Sequence, residues 1–194
     1  MRNLGLILLL GALAASPAVA APRDETHAVE SVRPEAVLAD VSAQSPFEIA
    51  KAANGLWARG DRLQAAFWFY VFQIRTSAWA EAQPDLRPLR AAINEDLGRT
   101  VNEWLASDVE AWEDMAERAI AFEARQPLWS GRPDGVSEAD WKVQVEQSRA
   151  RYVADFRQVF ASIDPGAIAA VRREHDLPVG PLDEPGAPLD AAWR

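Results

Sequence analysis

The side chains best suited to chemistry in this sequence are carboxylates and tryptophans, because it holds no cysteine and only two histidines. His27 and His175 stand near opposite ends, and no H-E-x-x-H pattern, G-x-S-x-G turn or Gly-rich phosphate loop occurs. A metal site, a Ser-His nucleophile and a nucleotide cradle therefore have no motif to rest on, and no cofactor is expected. Acids are concentrated in one stretch: Glu95, Asp96, Glu103, Asp108, Glu110, Glu113, Asp114 and Glu117. On two adjacent helices, a pair of them about 5–10 Å apart would suffice for glycoside cleavage. The plainer reading is that they form solvated faces opposite apolar stripes. Of the eight tryptophans, Trp57, Trp68, Trp104, Trp112 and Trp141 lie on or beside helical stripes and read as core. Trp129 lies in the loop 126–136 (QPLWSGRPDGV) with Arg132, where an aromatic platform and a guanidinium could stack on a sugar or insert into a partner. The alternative is that Trp129 folds back to cover the end of the bundle.

The elements that must position these groups are all helices. Ser45-Pro46-Phe47-Glu48 is a capping box with proline at the first helical position, and it predicts a helix over 46–59 ended by Gly60. Asp61 is expected to cap the next helix, whose run Leu63 to Ile74 (LQAAFWFYVFQI) is apolar nearly all round. No second strand-like run exists to pair with it, so it reads as a central helix. Leu86, Leu89, Ile93, Leu97, Val101, Trp104 and Leu105 predict a helix over 86–106, bent at Gly98. Ser107 with Glu110 predicts a further cap and a helix ending before Pro127. Ser137 with Asp140 starts a long helix through Ile163, and Asp164-Pro165 a short last one to about Arg173. The expected fold is an all-α bundle of stacked antiparallel hairpins, with about five to six helices over 45–175. Residues 21–44 read as a flexible leader, with at most one short helical turn at Glu35 to Asp40. Residues 176–194, with Pro178, Pro181, Pro185 and Pro188, read as a proline-rich tail that is disordered or draped over the surface.

The chain begins with Arg2, an apolar run of about 12 residues from Leu4 to Ala15, and Ala18-Val19-Ala20. This is the pattern of a signal peptide over 1–20, cleaved after Ala20, and it predicts a periplasmic or secreted protein. The run is short of the ~20 residues that span a bilayer, and no later stretch approaches them, so no membrane span is expected in the mature protein. Without cysteine the mature chain can carry neither a lipid-modified cysteine nor a disulfide. The net charge of −9 argues against nucleic acid and anionic lipid, and favours a basic or neutral partner.

The stretch Ala53-Asn54-Gly55-Leu56-Trp57-Ala58-Arg59-Gly60-Asp61, followed by Ala65 and Phe69, resembles one tetratricopeptide or Sel1-like repeat, over about residues 46–78. The resemblance implies a helical hairpin turned at Gly60-Asp61 and closely packed at Ala65, in a fold with partner-binding habits. No second copy follows at the period near 34 that an array requires. The resulting expectation is an exported interaction module that binds another envelope protein. Its sharper form is an inhibitor or immunity-type protein of a basic cell-wall-degrading enzyme. The alternatives are a cell-wall or carbohydrate-active enzyme built on two carboxylates, and a structural envelope scaffold.

Overall fold

A computed structural model describes residues 33–126 and 132–193. The signal-peptide reading, and Trp129, lie outside the described residues. The fold is all-α, with no strand among the described residues. The helices are α1 (Pro34–Leu38), α2 (Pro46–Ala58), α3 (Arg62–Ala82), α4 (Arg87–Ile93), α5 (Arg99–Leu105), α6 (Val109–Arg125), α7 (Glu138–Ala161) and α8 (Pro165–Glu174). A π turn, Asn94–Gly98, joins α4 to α5, so the stretch expected as one bent helix is one rod with a widened turn. Gly98 is where the rod meets α3: a Cβ there would stand 2.7 Å from Cζ of Phe69.

The all-round apolar character of α3 places it at the centre. Ala65 to Phe72 are all buried, and α2, α6 and α7 pack around them. Aromatic side chains supply the contacts, as in the edge-to-face pairs of Phe67 with Trp68 and with Phe122, at 5.2 and 5.4 Å between ring centroids. On α7, Tyr152, Phe156 and Phe160 complete the core from the other side, and Trp141 with Val145 packs on Ala78 in a smaller cluster at the far end.

Helix ends follow local chemistry. Ser45 accepts from the backbone N–H of Glu48, and Ser137 from that of Asp140. Asp164 accepts from the N–H groups of Gly166 and Ala167. Gly60 adopts φ +91°, and the turn closes with Gly60 N–H donating to Trp57 O and Asp61 N–H to Leu56 O.

Four features differ from expectation. The cap of α6 is Asp108, which accepts from the N–H of Ala111, while the Ser107 hydroxyl donates back to Trp104 O. Asp61 occupies the cap position of α3 but makes no capping bond. In residues 33–44 the short helical turn expected at Glu35 to Asp40 is present as α1, but it and the turn after it are docked, burying Val37 and Val41, where a flexible leader was expected. Two apolar residues four apart are too short a pattern to separate a docked turn from a loop. Lastly, of the two expectations for the tail, disordered or draped over the surface, residues 177–193 follow the second: they lie as an irregular arm on the bundle, fixed at Leu189, so the packed region continues well past 175.

Candidate functional site

The densest polar construction on the surface lies at the start of α3, where the arm crosses it. The first N–H groups of any α-helix lack partners within the helix. Here the N–H of Leu63 donates to the carbonyl of Pro185 at 2.9 Å. Asp61, free of capping, accepts from the N–H of Ala187 at 3.2 Å and from Arg59 Nε at 2.6 Å. Burial raises the Asp61 pKa, but the Ala187 N–H and the Arg59 guanidinium outweigh it and hold the carboxyl below its ordinary value. The Gln64 amide donates to Pro188 O at 2.9 Å.

Two indoles stand beside this helix start. Trp57 and Trp104 meet edge to face at 5.8 Å, and the Arg62 guanidinium lies 5.8 Å from the centre of the Trp57 ring. Trp104 Nε1 and Arg62 both donate to the carbonyl of Asp183, at 2.8 and 3.3 Å, while Arg62 also pairs with Glu184 at 3.0 Å. The polar hold on the arm is thus mainly through its backbone, by groups from the α2–α3 turn, α3 and α5.

Gly186 permits this close approach. It has φ +72°, and a Cβ on it would fall 2.3 Å from the carbonyl oxygen of Gly60. Further along, Leu189 is buried and Trp193 stacks on Phe67 at 5.9 Å. Clefts remain on both sides. One of about 300 Å³ lies between Leu189 and Met115 of α6, and one of about 620 Å³ runs between Leu189, Trp193 and Leu38 of α1.

A second polar construction is internal. Glu123 of α6 is fully buried and accepts both bonds of Arg75 Nε, at 2.9 and 3.1 Å, and one from Arg149 of α7 at 2.6 Å. Arg75 also donates to Val41 O at 2.7 Å. The cluster ties α3, α6, α7 and the segment after α1 together. Nearby, Arg90 of α4 donates to Thr76 and Gln73 at 3.0 Å each, and burial lowers the pKa of its guanidinium. Tyr70 receives a bond from Trp112 Nε1 and donates to Asn102 at 3.0 Å; burial lifts its hydroxyl well above the ordinary phenol range.

Several members of the acidic stretch are taken up by local partners. Glu117 is bound by both arms of Arg157 at 2.7 and 2.8 Å, and this interaction holds its pKa below the ordinary value, opposite to what a general acid needs. Glu95 pairs with Arg99, and Asp114 with Arg118, one helical turn away on exposed faces. Asp108 is a helix cap, and Glu110 is exposed. Among the described residues, no group of three or more His, Asp or Glu side chains could hold a metal ion.

Of the residues singled out in the sequence, Gly60 and Asp61 stand in the arm-binding site, and Ala65 lies buried one turn below it. Arg132 is exposed and donates to Val136 O within its own loop. Sequence reasoning missed Arg62, Gln64 and Trp104 as arm contacts, and missed the buried Glu123. The signal for the first group was present in the polar Arg62 and Gln64 at the mouth of an otherwise apolar helix, opposite a tail with regularly placed prolines. The chain matches no protein-family model, no curated protein and no solved structure, so the geometry itself carries the functional reading.

Proposed function

We propose that this chain is an exported interaction module of the cell envelope, acting by binding another protein and not by chemistry of its own. The observation that carries this reading is the start of α3, where Asp61, Leu63 and Gln64 bind an irregular stretch of the chain's own tail through its backbone. A helix mouth built that way recognises polypeptide. Export rests on the sequence from Arg2 to Ala20, and the overall acidity favours a basic or neutral partner. The inhibitor or immunity form of the reading adds only the partner's identity, a basic cell-wall-degrading enzyme. Trp129 and Arg132 are the second place to look for contact.

The test is co-purification of the tagged mature protein from the envelope after mild cross-linking. The expected result is one stoichiometric protein partner. Glycan release from purified cell wall by the protein alone, abolished by Glu110→Gln or Glu117→Gln, would replace this reading with a carboxylate enzyme.

A further inference from the structure

Residues 181–193 are seated as a ligand would be. Four of their main-chain groups are satisfied by the bundle: the carbonyls of Asp183, Pro185 and Pro188, and the N–H of Ala187. Recognition through main-chain atoms does not depend on the side chains of the segment bound. The segment carries Pro181, Pro185 and Pro188, and it meets an indole pair topped by an arginine, the kind of surface on which proline-rich extended chains dock. Trp104 Nε1 donating to a backbone carbonyl is the polar half of that surface, and the rings of Trp57 and Trp104 are the apolar half.

The segment is also mostly exposed. Leu189 is the only buried residue between 181 and 193, and clefts flank it on both sides. Leu189 belongs to the core and Trp193 packs on Phe67 and Trp68, whereas residues 183–188 are exposed and meet the bundle through the main-chain bonds above. We propose that the face made by Trp57, Arg62, Gln64 and Trp104 is a binding site for a proline-rich, non-helical segment of another protein, and that residues 181–193 are its displaceable resident occupant. The partner segment carries an acidic residue to meet Arg62, as Glu184 does here, and an apolar side chain to fill the cleft beside Leu38. This rests on the interaction-module reading and names the partner's chemistry at that module's site.

The test uses the full chain and a fluorescein-labelled synthetic peptide with the sequence of residues 180–193, titrated by anisotropy. Gly186→Ala forces a Cβ against Gly60 and lifts the occupant. The G186A protein is expected to bind the peptide at least ~10-fold more tightly than wild type does, because a resident occupant lowers apparent affinity by the fraction of sites it fills. Trp104→Phe on the G186A background keeps the ring and removes the donor, and is expected to lose most of that gain. Equal affinity in wild type and G186A, or no saturable binding to either, would overturn the proposal.

Should G186A not fold, amide exchange of the wild-type chain decides. The Leu63 and Ala187 amides are expected to exchange at least ~100-fold faster than the buried middle of α3, as a locally opening segment does. Exchange in step with α3 would make the segment part of the core and overturn the proposal. A concentration-dependent G186A dimer that peptide dissolves would assign the site to a second copy, also against it. A stoichiometric envelope partner that saturating peptide does not displace would leave the module reading standing and remove this site from it.

Discussion

Asp61 shows how one side chain can be diverted from a local duty to a distant one. At the mouth of α3 an aspartate would ordinarily accept from its own helix, yet it accepts from Arg59 and from Ala187, 126 residues away. Its pKa is lower folded than the unfolded value of about 3.9, so its contribution is present above that pH and lost as pH falls through the folded value. Acidification below about pH 4 is therefore expected to weaken the hold on Ala187, seen as a shift of that amide resonance before those of α3 move. An Ala187 resonance that moves only with α3 would contradict it. Glu123 is the opposite case, a charge with no solvent to fall back on. Glu123→Ala leaves Arg75 and Arg149 without their carboxylate, and is expected to cost about 3–5 kcal/mol, a fall in Tm on the order of 10 °C by calorimetry. Neither role was legible in the sequence. Asp61 reads there as a simple cap, and Glu123 as one more acid on an acidic helix, because both depend on partners brought close only by the fold.

At the scale of elements the sequence was far more informative, since capping and periodicity are local. The starts of α2, α7 and α8 lie where Ser45, Ser137 and Asp164 place them. The start of α6 moved by one residue, from Ser107 to Asp108, because the aspartate is the stronger acceptor and the serine hydroxyl is occupied by Trp104 O. A short turn before α2 and a tail draped on the surface could be read, but their docking could not, for the same reason as Glu123: short apolar signals such as Val37 and Leu189 acquire meaning only against α3. Two glycines test the element boundaries. Gly60→Val is expected to cost at least ~1 kcal/mol because a β-branched residue is penalised at positive φ, and an unchanged denaturant midpoint would contradict the turn at Gly60. Gly98→Ala gains helix propensity but drives a methyl into the buried ring of Phe69. Overpacking of about 1–3 kcal/mol outweighs a propensity gain of about 1 kcal/mol, so a net loss of stability is expected in the same measurement.

For the whole molecule, the described residues divide into a bundle fixed by α3 and an arm whose polar hold is mostly through its backbone. Nothing in the described bundle is long and apolar enough to cross a membrane. Some of the charged groups on its surface are held in short-range pairs, such as Glu117 with Arg157 and Asp114 with Arg118. The proposed place of contact with another protein is the mouth of α3, with its indoles, arginines and flanking clefts. Mapping cross-links between the mature protein and its co-purified envelope partner, with and without excess peptide of residues 180–193, tests this most directly. The account predicts cross-links to a proline-rich stretch of the partner around Trp57, Arg62 and Trp104, lost when the peptide is added. Cross-links confined to other faces, unaffected by the peptide, would contradict it.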